Sequence, residues 1–281
     1  MIELQNKAMI ITLNICQWSM RKYDKKVSDE IDYQYNANHA GRFNKILMDQ
    51  DERSKLIFQT ANSARTFHYF NTLAWDDNNG RILPSLNYLP YITKMSELKN
   101  LYFIYTEDFF QIYPSLKEAQ KLRLNGLYKE EDYPSLENLR NKYRFDVKVS
   151  PLPVAEDFRV QLNQEEVEKI KKDIESRMFD SQANAMKDLW GRLHEAIKHI
   201  VNRLSDKDAI FRDSLIGNVV ELVQILPKLN IANDQNLEGM RIEVEKNICS
   251  LNPEGIRKNA TLRKETAKKA EDLLDKMKGY M

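Results

Sequence analysis

A chain of 281 residues that is 42% hydrophobic and 30% charged supports a packed core under a heavily solvated exterior, and with only 8 Gly and 8 Pro it lacks the turn residues of an all-β architecture. Its 43 Lys and Arg offset 42 Asp and Glu, leaving a formal net charge of +1 and none of the global basic excess that marks an overt nucleic-acid binder. The 2 cysteines, Cys16 and Cys249, lie far apart and read as reduced thiols of an intracellular chain.

The first residues carry no basic stretch followed by an unbroken apolar run, so no signal peptide is expected. No stretch of about eighteen apolar residues is present to span a membrane. Residues 8–16 hold Ile10, Ile11, Leu13 and Ile15 and predict a short strand. A charged helix is expected from Arg21 to Asp32, and another helix over 50–72. The second runs into Asp76-Asp77-Asn78-Asn79-Gly80, whose Asn-Gly end signals a turn. Pro-Ser-Leu recurs at Pro84, Pro114 and Pro134 with unequal spacing, and reads as helix-start punctuation rather than a repeat. Leu98, Tyr102, Tyr105, Phe109, Ile112, Leu116 and Ala119 form a helical stripe, kinked or restarted at Pro114, where Ser115 and Glu118 fit a capping box. Alternation then predicts strands over 144–150 and 158–162, which with 8–16 would make a small sheet.

From Asn163 onward the pattern is helical. Asn163 and Glu166 form a capping-box start, and the helix is expected to reach Leu204. Val167, Ile170, Ile174 and Met178 lie about 100° around this helix from the later stripe of Leu189, Trp190, Leu193 and Ile197. The buried face therefore swings near residues 180–185. Ser205 and Asp208 predict a further helix start, with Ile210, Phe211 and Leu215 inward and Pro227 at the end; 235–250 and 261–279 follow as helices. The expected fold is mainly α, with long helices in hairpin or bundle packing and a small sheet. It divides into a mixed region, 1–162, and an all-helical region, 163–281, packed on the first.

Several groupings invite chemistry. His194-Glu195 and His199 resemble a zinc-protease helix, but histidines five apart point about 140° away from each other. Asp76, Asn78 and Gly80 resemble a calcium loop, but Asn87 stands where the bidentate glutamate belongs. The densest reactive set is Arg65, His68, Trp75, Asp76, Asp77 and Arg81; within it His68, Asp76 and Asp77 are the candidate acid–base groups. Neither cysteine has an activating histidine nearby, and no Walker loop or Gly-rich dinucleotide fingerprint occurs. No metal and no cofactor is expected. The tail from Arg257 holds eight Lys or Arg against four Asp or Glu, so Arg257, Lys258, Arg263, Lys264, Lys268 and Lys269 are candidate nucleic-acid contacts.

Six segments also resemble a family of uncharacterised proteins of tailed bacteriophages and prophages. They are Asn71-Thr72-Leu73-Ala74-Trp75-Asp76-Asp77-Asn78, Arg123-Leu124-Asn125-Gly126-Leu127, Glu131-Asp132-Tyr133-Pro134-Ser135, Asp157-Phe158-Arg159-Val160, Ala185-Met186-Lys187-Asp188-Leu189-Trp190, and Asp208-Ala209-Ile210-Phe211-Arg212-Asp213-Ser214-Leu215. The likeness covers most of the chain and supplies no catalytic residues. Residues 10–110 are also similar to bacterial proteins encoded beside MoxR-type AAA+ ATPases and von Willebrand-type proteins. The second likeness suggests a helical accessory to a larger assembly; with the long apolar-striped helices, which are natural interaction surfaces, the first reading is a non-enzymatic, phage-encoded accessory of the bacterial host cytoplasm. It would act through protein contacts or coiled-coil-like oligomerisation, with Leu189, Trp190, Leu193 and Ile197 as interaction residues. The alternatives are a nucleic-acid-binding accessory using the basic C-terminal helix and the Arg21, Lys22, Lys25, Lys26 cluster, and an enzyme centred on residues 65–81.

Overall fold

A computed structural model of the chain describes residues 2–76, 79–155, 163–206 and 209–280. Helices take 70% of the described residues, and a small antiparallel sheet joins them. In chain order the elements are α1 (Ile2–Lys7), β1 (Ala8–Cys16), β2 (Arg21–Tyr23), α2 (Lys25–Gln34), β3 (Asn44–Ile46), α3 (Glu52–Phe70), β4 (Leu73–Ala74), β5 (Arg81–Pro84), α4 (Tyr88–Leu124), α5 (Leu136–Arg140), β6 (Arg144–Ser150), α6 (Gln164–Ser205), α7 (Ser214–Leu229), α8 (Gln235–Val244), α9 (Pro253–Lys258) and α10 (Ala260–Met277). Both β1 and β6 fall where alternation places them; the strand expected over 158–162 lies outside the described residues. The main sheet has the order β4-β5-β1-β6. Ala8 pairs with Pro84 and Ile11 with Arg81, while Leu73 of β4 pairs with Ile82.

The chain forms two compact units, and neither is contiguous in sequence. One takes residues 1–12, 68–91 and 148–281; the other takes 13–67 and 92–147. Contiguous regions divided at 162 do not match these units, because residues 68–91 and 1–12 belong with the C-terminal helices.

In the first unit, α6 packs on α10 and α7. Asn163 caps α6 as its spacing predicts, its side-chain oxygen accepting from Glu166 N–H at 2.9 Å. Along α6 no residue between Met178 and Ala185 is buried, while Ala185, Met186, Leu189, Trp190, Leu193, Ile197, Ile200 and Leu204 are. The face therefore swings where the stripe changes. These side chains meet Leu215, Val219, Leu226, Ala270, Leu273 and Met277 in one apolar core. The start of α7 departs from expectation. Ser205 ends α6, Asp208 lies outside the described residues, and α7 begins at Ser214. Phe211 is buried, but Ile210 is 88% exposed.

In the second unit the core is aromatic. Tyr102, Phe109 and Phe110 from α4 pack with Tyr143 and Phe145, with ring centroids 5.4 to 6.4 Å apart for Tyr102–Tyr143, Tyr102–Phe145, Phe109–Tyr143 and Phe110–Tyr143. This packing explains why Pro114 does not restart the helix. It sits inside the 37-residue α4, despite the interior hydrogen bond it removes, and Ser115 and Glu118 are interior positions rather than a capping box. Phe109, Phe110 and Tyr113, just before it, are all buried, and Tyr113 donates to Pro134 O at 2.8 Å. Pro84 and Pro134 do precede helices, and Ser135 caps α5 through Asn138 N–H. No described helix is long and apolar enough to cross a membrane.

Candidate functional site

Residues 68–81 surround the C-terminal end of α3, and their chemistry follows from that position. The last carbonyls of any α-helix lack intrahelical partners, and cations favour that end. His68 O accepts from Thr72 Oγ1 at 2.6 Å, and Phe70 O accepts from Arg192 Nη1 at 3.2 Å. Asn71 O accepts from Asn87 Nδ2 at 3.2 Å. Thr72 O accepts from Arg81 Nη2 at 3.0 Å and from Arg192 Nη2 at 2.8 Å. Arg81 also donates from Nε to Thr72 Oγ1 at 2.6 Å and lies 4.7 Å over the Tyr69 ring. Burial, with Arg192 alongside, lowers the pKa of Arg81. Asp188, one turn before Arg192, accepts from it at 2.7 Å.

His68 is 3% exposed, and its Nδ1 lies 2.7 Å from the hydroxyl of the equally buried Tyr91. Burial, aided by the Arg81 charge, lowers its pKa to about 4. Asp76 is exposed and accepts from Gly80 N–H at 3.1 Å; Asp77 and Asn78 lie outside the described residues. Arg65 belongs to the other unit, where it donates to Ile15 O at 3.2 Å. His68 and Arg81 thus sit in a closed frame around a helix end, and Asp76 lines a separate cavity of about 410 Å³ with Trp75, Ile174, Arg177 and Met178. Arg192 and Thr72 complete the frame and were not singled out from the sequence. Their signal was faint, an Asp188/Arg192 pair four apart on a helix.

The frame has a measurable pH signature. Unfolded His68 takes up a proton near 6.5, whereas the folded chain resists it until about pH 4. The contribution is therefore whole above pH 6.5 and lost as pH falls from 6.5 to 4, by about 3 kcal/mol. Urea unfolding across that range should show the wild type losing stability and His68→Gln losing clearly less; equal slopes would contradict the assignment.

Leu189, Leu193 and Ile197 are fully buried, and Trp190 is 4% exposed. Trp190 donates to Asp234 at 3.0 Å and stacks on Tyr280 at 4.8 Å between centroids. The structure thus places this stripe inside the first unit, facing its own chain. His194 is half-buried beside Glu195, and His199 is exposed on the far side. His199→Ala should change unfolding free energy by no more than about 0.5 kcal/mol, read as the urea midpoint. Among the described residues no group of three His, Cys, Asp or Glu side chains gathers to hold a metal. Burial pushes the Cys249 thiol up to about 11.

The basic C-terminal residues divide by role. Arg263 donates to the carbonyls of Arg203, Leu204 and Asp206 at the end of α6, as the arginines at α3 do, and to that of Ala209 beyond it. Arg257 pairs with Asp213 at 2.6 Å, and both guanidinium groups lie over Phe211, at 5.6 Å and 5.5 Å. Lys258 pairs with Glu254. Lys264, Lys268 and Lys269 point to solvent. Between the end of α6 and α9–α10 lies a groove of about 980 Å³ lined by Leu204, Lys258, Lys264, Ala267 and Lys268 among others.

Comparison with protein-family models, with curated proteins and with solved structures gives no match.

Proposed function

We propose that this chain is a non-enzymatic, phage-encoded accessory protein of the bacterial host cytoplasm that acts by contact with another protein. The observation that carries the reading is the fate of the reactive side chains. Among the described residues the His68 side chain is buried against Tyr91 and Arg81 is spent on the end of α3, while the cationic side chains left exposed border a groove. An enzyme would need its acid–base groups within reach of a substrate. The resemblance to phage proteins supplies the proposed setting. The test is complementation: phage lacking the gene is grown on hosts supplying either wild type or His68→Gln. Equal yields at temperatures where both proteins are folded are expected. Loss of yield by a variant of normal thermal midpoint would favour an enzyme centred on 65–81.

A further inference from the structure

Strands β2 and β3 form a ribbon of their own, with Arg21 opposite Ile46, Lys22 opposite Lys45 and Tyr23 opposite Asn44. Residues opposite one another in a ladder share a face, and the face alternates along each strand. The middle pair points inward, because Lys22 and Lys45 both reach Asp132. The outer pairs therefore turn Arg21, Tyr23, Asn44 and Ile46 the other way, and all four are exposed, Tyr23 at 39% and Ile46 at 43%. The guanidinium of Arg42, also exposed, lies 4.7 Å over the Tyr23 ring. The carboxylates nearby in sequence are engaged or set apart. Asp24 and Asp132 are buried and hold Lys45, and Asp32 accepts from His39 and Ala40 N–H. Glu30 pairs with Lys26, Asp49 with Arg123, and Asp29 lies beside Lys25 on α2. No Asp or Glu occurs from residue 33 to 48. Among the described residues Arg21 and Arg42 have no carboxylate partner, unlike Lys22 and Lys26.

We propose that the outer face of this ribbon binds single-stranded nucleic acid, a base stacking on the Tyr23–Arg42 pair and the flanking phosphate meeting Arg21. The binding goes beyond the protein contact proposed above and is independent of it. An unpaired guanidinium fork matches phosphate oxygens, and an exposed ring beside it gives a base its stacking platform. Asn44, opposite Tyr23, offers a donor and an acceptor to the base edge. A duplex fits less well. Each strand is 3 residues long. That is about 10 Å at 3.3 Å per residue, too short to run along a major groove, and a paired base cannot stack on a side chain. An acidic peptide would meet the two arginines and leave the ring without a stacking partner. Base and phosphate are common to DNA and RNA, so both are used as probes.

The test is fluorescence anisotropy of the full chain with short fluorescein-labelled oligothymidine and oligouridine, beside a DNA duplex of the same length and an oligoglutamate peptide. At least one single strand should bind, more weakly as salt rises, and more tightly than the duplex or the peptide. Tyr23→Ala should weaken that binding by about fivefold or more, and Arg21→Ala/Arg42→Ala by about tenfold. Tyr23→Phe, which keeps the ring, and Lys264→Glu/Lys268→Glu on the basic C-terminal helix should stay within about twofold of wild type. Equal urea midpoints check that the variants are folded. Arg21→Glu, a charge reversal at an exposed side chain, repeats the test should loss of the Tyr23 ring loosen the ribbon. No binding to either single strand at low salt, tighter binding to the duplex or the peptide, or full affinity in the Arg21→Ala/Arg42→Ala variant would overturn the proposal. So would loss of binding in the Lys264→Glu/Lys268→Glu variant. Phage complementation tests the protein contact separately, so its outcome is distinct from these.

Discussion

Lys45→Met is expected to destabilise the second unit by about 3 kcal/mol, because it leaves two carboxylates buried without their shared cation. Lys45 is 2% exposed, and its Nζ donates to Leu127 O at 2.9 Å and to Asp24 at 3.2 Å. It also lies 2.5 Å from Asp132 Oδ2, whose other oxygen accepts from Lys22 at 2.7 Å. One ammonium thus ties the N-cap of α2, strand β3 and the segment after α4. Burial alone would raise the pKa of both aspartates. The Val27 N–H and Lys45 at Asp24, and Lys22 and Lys45 at Asp132, instead hold them below the ordinary 3.8. Their stabilisation is present above that value and lost only as pH falls below it, outside the window assigned to His68. Adding Asp24→Asn and Asp132→Asn to Lys45→Met should recover part of the loss in urea unfolding. If Lys45→Met alone unfolds within about 0.5 kcal/mol of wild type, the cluster is not a structural tie.

Leu193→Asp is expected to cost about 4 kcal/mol or more and to unfold the first unit. Leu193 is fully buried in the core shared by α6, α7 and α10. The carboxylate must either lose its hydration or take up a proton through a raised pKa, and the leucine's packing is gone in both cases. Leu193→Met, nearly equal in volume, should cost less than about 1.5 kcal/mol. Thermal midpoints of the three proteins check this, and an aspartate variant melting within a few degrees of wild type would contradict the core assignment.

Much of the fold was legible where one physical signal dominates. Asn163 with Glu166, and a stripe running to Leu204, set α6 because capping and helical periodicity agree along its length. Alternation set β1 and β6. Legibility failed where long-range packing decides. Pro114 looks like a helix boundary locally, and only the aromatic packing around Phe109, Phe110 and Tyr143 keeps α4 continuous. The residues of β2, Arg21 to Tyr23, are all exposed and carry no alternation, so their pairing with Asn44–Ile46 left no trace. The discontinuous units were hidden for the same reason, since periodicity does not report which distant segments share a core. At the candidate site the cluster of polar residues was visible, but its role was not. Carbonyls at the end of α3 needing donors belong to the backbone, and the Arg192 that satisfies two of them lies over a hundred residues away.

Quantitative affinity capture from phage-infected host cells tests the central claim most directly, with the tagged full chain compared with tag alone and with the Leu193→Asp variant. A protein that acts by contact should retain one partner in near-stoichiometric amount, lost when the fold is lost. Recovery of no protein above the tag-only level, across low and physiological salt, would contradict it.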